Sequence, residues 1–320
     1  MRGVLRMVTL AVAVMPGALV AQGTASCRIV QTQDACQLAG DFYDYMLPQL
    51  GLALGGGNPV LGSSNVIGKL GHFSIGVRAT AFKGSLPQFE NVSVATTGVV
   101  ARNIPVKDQL LGAPAVDAAI GLFRGFAVGV TRVGSIDAVA SALYLPTVGG
   151  GNNSDSDITV ETHTRFGFGG RVGLLEESIV IPGITFVYLQ RGLPKISLNS
   201  QSNNGASFGV NQLDVTVSTW RVIATKSFLL FALSGGFGGD TYKSRGALTA
   251  HAAGLSESAG LDRSPHRTNW FVDLTLNASF LKIAAEFGGG GNTNTPTINH
   301  FAPVAGASLT YYSLGLRFGF

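Results

Sequence analysis

The stretch "WFVDLTLNASF" puts Trp270, Val272, Leu274, Leu276, Ala278 and Phe280 on one side of an extended chain, and Phe271, Asp273, Thr275, Asn277 and Ser279 on the other. Only Phe271 departs from the split between apolar and polar faces. The final stretch, "LTYYSLGLRFGF", sets Tyr312, Leu314, Leu316, Phe318 and Phe320 against Tyr311, Ser313, Gly315, Arg317 and Gly319. The rule recurs in "HFSIGVRATAF", where Phe73, Ile75 and Val77 oppose Ser74, Gly76 and Arg78. In "ITVETHTRFGFGGRV", Ile158, Val160, Phe166 and Phe168 oppose Glu161, His163, Arg165 and Arg171. Such segments reach about nine to eleven residues or more, the length of a tilted membrane strand, where a soluble strand averages about five or six. The polar face is small or charged, as a narrow wet lumen requires. Length and alternation together predict an all-β, antiparallel transmembrane β-barrel, and they disfavour a secreted sandwich, whose strands alternate but are shorter.

The N-terminus fits export. "MRGVLRMVTLAVAVMPGALVAQGTASC" carries Arg2 and Arg6, an apolar run from Met7 to Val20 and a small-residue end, the three parts of a secretory signal peptide. We assign residues 1–25 to it, with cleavage after Ala21 or Ala25. Removing the two arginines takes the formal charge from +4 to +2 (4 − 2), which gives no case for nucleic acid as a partner. Charged residues are 12% of the chain, about half the usual share, yet no apolar run after the leader is long enough for a spanning helix. Apolarity must therefore be carried in alternation.

Residues 26–68 do not alternate. "QLAGDFYDYMLPQLGLAL" offers a short amphipathic helix with Tyr43, Leu47 and Leu50 near helical spacing, broken by Gly55 to Pro59. This reads as a plug or periplasmic-side hatch, or else as an N-terminal arm. Residues 69–320 form the barrel, with candidate strands near 70–82, 93–102, 114–123, 126–133, 135–145, 157–173, 179–190, 212–226, 228–243, 267–279, 280–292 and 306–320. That is about twelve strands (10–14), an even number as bacterial single-chain barrels prefer. The phase slips between Phe280 and Leu281, which marks a tight turn or a bulge. Arg124-Gly125, Glu176-Glu177 and Lys226-Ser227 read as periplasmic turns. The Gly-, Ser- and Asn-rich links at 149–157, 199–207 and 243–267 read as external loops. No internal repeat of fixed period is present.

The C-terminal strand, with Tyr312, Leu314, Leu316, Phe318 and the terminal Phe320, resembles the assembly signal of bacterial outer-membrane β-barrels. The resemblance implies residence in the bacterial outer membrane, outer-membrane lipid as surroundings and recognition by the barrel-assembly machinery. "GGGNPVLGSS", with Asn58-Pro59, followed by a barrel is loosely similar to the long-chain fatty-acid transporter family, whose N-terminal hatch carries an Asn-Pro-Ala motif. In this chain Val60 follows Asn58-Pro59. The similarity implies Asn58 and Pro59 as plug residues.

Chemistry-bearing residues are few. Cys27 and Cys36, the only cysteines, read first as a small disulfide loop in an exported chain, and second as a lipidated Cys27, for which "TASC" lacks the usual large aliphatic residue. Arg78, Asp117, Glu161, His163, Arg165, Arg171, Asp273, Lys282, Glu286 and Arg317 are the lumen-facing candidates. Mixed charges there either pair and fill the barrel or select a solute. No nucleophile elbow, metal-ligand pair or nucleotide loop is found, so neither an enzyme nor a metal or other cofactor is expected. Two functions follow: passive passage or binding of a small or hydrophobic solute, or a closed structural or adhesive barrel acting through its external loops. Whether the lumen is open or filled separates them.

Overall fold

The computed structural model describes residues 27–63, 65–145 and 156–319. The leader, Phe320 and most of the 149–157 link lie outside the described residues. Ten strands close into an antiparallel barrel: β1 (Phe73–Pro87), β2 (Val106–Phe123), β3 (Ser135–Tyr144), β4 (Thr164–Leu175), β5 (Gly183–Gly192), β6 (Ser207–Ser227), β7 (Phe231–Ala252), β8 (His266–Ala278), β9 (Leu281–Gly290) and β10 (Leu309–Gly319). Each pairs with its chain neighbours, and β1 closes the ring on β10 through Ser74↔Gly319 to Phe82↔Tyr311. Closure leaves no edge to face hydrocarbon.

The twelve-strand expectation is corrected to ten. Residues 93–102 form no strand, and 126–133 make a small hairpin, Phe126–Val128 with Thr131–Val133, outside the ring. The 157–173 segment divides, because Ser156–Val160 pairs with Ile196–Gln201 beyond the barrel and only Thr164 onwards joins the wall. The 243–267 link is not a loop. β7 continues to Ala252, turns at 253–254 and returns as the strand Leu255–Arg263. The phase slip at Phe280 is a tight turn, with Ser279 at φ 58° between β8 and β9.

All short links (124–134, 176–182, 228–230 and 279–280) lie at the end where β1 begins and β10 finishes, and the long ones lie at the other. Bacterial barrels keep short turns on the periplasmic side, which makes the long-link end the outer one. Around the wall, outward side chains form an apolar belt: Val77, Val116, Phe168, Leu233, Val272, Leu274, Leu276, Ile283, Leu314 and Leu316 are all exposed. Aromatic rings edge it. Trp220, Phe237, Trp270, Phe287 and Tyr312 lie on the outer side, and Phe123, Phe126, Phe228, Phe231, Phe280 and Phe318 on the short-turn side. Tyr312 and Phe318 are about 20 Å apart along their strand, close to the band such barrels present to lipid. Among the described residues no helix is long and apolar enough to cross a membrane.

Candidate functional site

Inside the barrel runs a single continuous thread. Helix α1 (Val30–Gly55) is buried on every side for most of its length, far longer than the short amphipathic helix expected. A helix enclosed by a barrel needs no polar face, which is why its pattern misleads. At 26 residues it spans about 39 Å, and residues 56–72 carry the chain on to β1. Cys27 and Cys36 form a disulfide across the helix start.

The contacts of this thread descend in chain order. At the outer end, Glu257 accepts the Arg28 and Ile29 N–H groups at 2.7 and 3.1 Å and the Thr32 hydroxyl at 2.7 Å. Asp34 accepts the Ala95 and Val100 N–H groups and pairs with Arg102 at 2.8 Å, fixing the 88–105 link. One turn apart, Asp41 accepts from Asn299 and Asp44 pairs with Arg263 at 2.9 Å. Gln49 exchanges hydrogen bonds with the Ser85 backbone. Gly51 lies against the Tyr242 ring, where an added Cβ would stand 2.6 Å from ring carbons, so the helix can approach the wall only with glycine there. Among the described residues the contacts thus run in chain order from the long-link end towards the short-turn end.

The helix ends on three guanidinium groups. The Leu54, Gly55 and Gly56 carbonyls accept from Arg191 at 2.8 Å, Arg221 at 2.6 Å and Arg78 at 3.2 Å. Carbonyls at a helix C-terminus have no partner within the helix and carry partial negative charge, so cations suit them. The same cations pair with carboxylates of the wall: Arg78 and Arg191 both with Asp117 at 3.1 and 3.2 Å, and Arg221 with Asp240 at 2.8 Å.

Below them, register sets like charges opposite one another, Asp273 against Glu286 and Lys282 against Arg317. Directly opposed like charges destabilise a sheet. The thread relieves the first pair, since Asn58 donates its backbone N–H to Glu286 at 2.7 Å and its amide to Asp273 at 3.0 Å. Its amide oxygen accepts the Val60 N–H, turning the chain around Pro59. Arg317 donates to the Leu61 carbonyl and the Ser74 hydroxyl, while Lys282 is only half-buried. At the short-turn end Arg171 pairs with Asp137 at 2.6 Å and donates to Ser63, and Asp137 accepts the Ile67 and Gly68 N–H groups. Asn65 donates to Glu177 in the 176–182 link.

The structure thus brings Arg78, Asp117, Arg171, Asp273, Glu286 and Arg317 to buried positions around the thread, with Lys282 beside them. It places three candidates elsewhere. Glu161 and His163 are exposed in the link between Val160 and Thr164: Glu161 accepts the Ser197 hydroxyl, and His163 meets the Leu145 carbonyl and stacks on Tyr144. Arg165 sits half-exposed at the rim, 3.7 Å from Asp214. Alternation runs on through these residues because the chain stays extended, although it has left the wall. Asp137, Arg191, Arg221 and Asp240 were missed. They lie in segments such as "SIDAVASALY", where alanine fills both faces and alternation is faint, and the remaining signal is a lone charge in an apolar run. Among the assembly-signal residues, Tyr312, Leu314, Leu316 and Phe318 face outward in the apolar belt.

No family model and no curated protein matches the chain. Among solved structures it is similar to the translocator domain of autotransporter NalP from Neisseria meningitidis, at 11% identity over 80% of this chain and 91% of that one, with a TM-score of 0.42. It is also similar to the outer membrane protease OmpT from Escherichia coli, at 11% identity over 78% and 97%, with a TM-score of 0.36. The toluene transporter TodX from Pseudomonas putida matches at 11% identity over 78% and 88%, with a TM-score of 0.36. The fold is that of an outer-membrane β-barrel. Closure, the apolar belt and its two aromatic rims carry that statement, and the scores, all below 0.5, add no finer likeness.

Proposed function

We propose that the chain is a closed outer-membrane barrel that acts through the part standing above the membrane, in a structural or adhesive role, rather than a pore. The observation that carries this reading is the series of contacts by which residues 27–63 and 65–68 are tied to the wall at each level, through buried ion pairs and hydrogen bonds. Passage of a solute would require that thread to leave, breaking the Asp44–Arg263 pair and the three arginine contacts at the helix end. Breaking buried charge contacts of this kind costs several kcal/mol each. A hydrophobic solute could instead meet the groove of about 520 Å³ lined largely by outward residues such as Val77, Ala79, Pro114, Val116 and Leu314.

Purified full-length protein reconstituted in planar bilayers tests the reading. It is expected to show no steady conductance, while a variant lacking residues 30–66 either conducts or fails to assemble. A stable open conductance from the intact chain, or swelling of proteoliposomes in small sugars, would overturn it.

A further inference from the structure

We infer that this barrel presents the start of its thread on the cell surface: the thread enters the lumen from outside, so Arg28 and Val30 stand at the outer mouth beside the hairpin formed by β7 and Leu255–Arg263. The inference rests on the reading of the long-link end as the outer one. Its ground is the polarity of α1, which two independent sets of contacts fix.

At the buried end, three successive carbonyls, Leu54, Gly55 and Gly56, meet Arg191, Arg221 and Arg78. At the mouth, the N–H groups of Arg28 and Ile29 meet the Glu257 carboxylate, and Asp34 lies in the first turns. Negative groups suit a helix N-terminus and positive groups its C-terminus. A helix inserted the other way would set N–H groups against the three arginines and carbonyls against Glu257, leaving both ends unsatisfied. The direction is therefore built into the wall, in residues spread over β1, β5, β6 and the outer hairpin.

The consequence is functional. Arg28 and Val30 form a second exposed element of the outer surface, held in place by Glu257 and, through the buried Cys27, by the Cys27–Cys36 disulfide. Arg28 is exposed there, and Val30 is exposed as well. A barrel of this design presents Arg28 and Val30 to partners outside the cell, with the thread running into the lumen behind them.

Three epitope tags in the full chain test this on intact cells: one directly before Cys27, one in the outer hairpin turn after Ala253, and one in the short link after Ile179. Antibody is expected to label the first two without permeabilisation and the third only after it. Labelling of the 253 tag with an N-terminal tag that needs permeabilisation overturns this inference and leaves the closed-barrel reading standing. Labelling of the 179 tag but not the 253 tag overturns the orientation and the inference together. Where a tag impairs assembly, Val30→Cys and Leu70→Cys in a Cys27→Ser/Cys36→Ser background repeat the test with a membrane-impermeant maleimide. Only Val30→Cys should react on intact cells, and protection of Val30→Cys beside a reactive Ala253→Cys control sinks the idea.

Discussion

Strand β7 carries two kinds of protein in one stretch of chain. In its first half the outward residues Phe231, Leu233 and Phe237 are exposed and apolar, while Ser234 and Asp240 face inward and are buried. Beyond Thr241 the outward residues are Lys243, Arg245, Thr249 and His251, while Tyr242, Leu248, Ala250 and Ala252 face inward and are buried. The backbone does not change; the solvent outside does. The membrane half therefore hides charge and shows carbon, and the outer half does the reverse. Around α1 the outer half has the interior of a soluble domain, with Phe42, Met46, Phe89, Val210, Phe208 and Leu248 in one apolar cluster and Phe89 edge-on to both Phe42 and Phe208.

The two interiors should fail differently. Phe42→Ala empties a packed apolar site and is expected to cost about 3–5 kcal/mol, seen as earlier denaturant unfolding and loss of order in the outer links. Asp137→Ala strands the buried Arg171 and is expected to cost a similar 3–5 kcal/mol. Adding Arg171→Met should recover the part of the second loss that comes from the unpaired guanidinium, while the Ile67 and Gly68 N–H groups stay without their acceptor. No second change at an ion pair should rescue Phe42→Ala. If Asp137→Ala/Arg171→Met unfolds no later than Asp137→Ala alone, the membrane-half interior is not held by pairs in the way described.

The exteriors differ as well, and an arginine scan reads where they change. Leu274→Arg, and Leu233→Arg at the neighbouring position on β7, should cost about 2–4 kcal/mol near mid-bilayer, falling towards zero at the rims. Thr249→Arg, on the same face of β7 above the membrane, should stay within about 0.5 kcal/mol. Heat-modifiable gel migration and urea titration in lipid vesicles give both values. Equal costs at 233 and 249 would mean that the belt was drawn in the wrong place.

This inversion also explains what could be read in the sequence. One rule, apolar side to lipid, was clearest in β1, β4, β8, β9 and β10, where it set Arg78, Arg171, Asp273, Glu286 and Arg317 on the inner face, and it was faint in β3, where alanine fills both faces. It fails at Thr241 because the apolar positions pass from odd to even numbers there, so β7 beyond that point looks patternless and 243–267 reads as a loop. The same rule predicts no partner for Phe271, which is inward and buried because Gly236 opposite leaves room for its ring. Helix α1 was legible only in part, as a short amphipathic stretch within residues 37–54. Its polar residues Asp34, Asp41 and Asp44 share one side, as those of a surface helix would, yet here that side is buried against Arg102, Asn299 and Arg263.

Asn58 links the two halves, being the first side chain below the helix to bind wall carboxylates. Asn58→Ala removes the amide donor to Asp273 and should cost about 1–3 kcal/mol, the penalty for an acceptor left buried without its partner. Asn58→Asp should cost more, since it sets a third carboxylate against Asp273 and Glu286, both already opposed across the sheet. Asn58→Gln would be intermediate. An Asn58→Asp protein as stable as the parent at neutral pH would show that the thread does not relieve that pair.

The smallest effect compares the two ends of the thread, each tied by one carboxylate outside the membrane. At the outer end the Glu257 pKa is lowered, first by the Arg28 N–H, then by the Thr32 hydroxyl and the Ile29 N–H. At the short-turn end burial pushes Glu177 up, but the Ser227 N–H, the Asn65 amide and the Ser227 hydroxyl outweigh it and the pKa is again lowered. A carboxylate with a depressed folded pKa contributes stability that is complete above its unfolded value, 4.5 for glutamate, and that is lost as pH falls through the folded value. Both ends should therefore hold from pH 7 down to about 5 and loosen below about 4.5. Spin labels at Val30→Cys and Leu70→Cys would report this as rising mobility in acid. Glu257→Gln should make the Val30 label mobile at every pH and leave the Leu70 label unchanged, and Glu177→Gln should do the opposite. The ends then separate on salt: Glu257 is the less buried of the two, so molar salt should weaken its hold, whereas the Glu177 side chain, only 8% exposed, should keep most of its own. A Val30 label indifferent both to acid and to Glu257→Gln would mean that the disulfide and Asp34 alone fix the outer end.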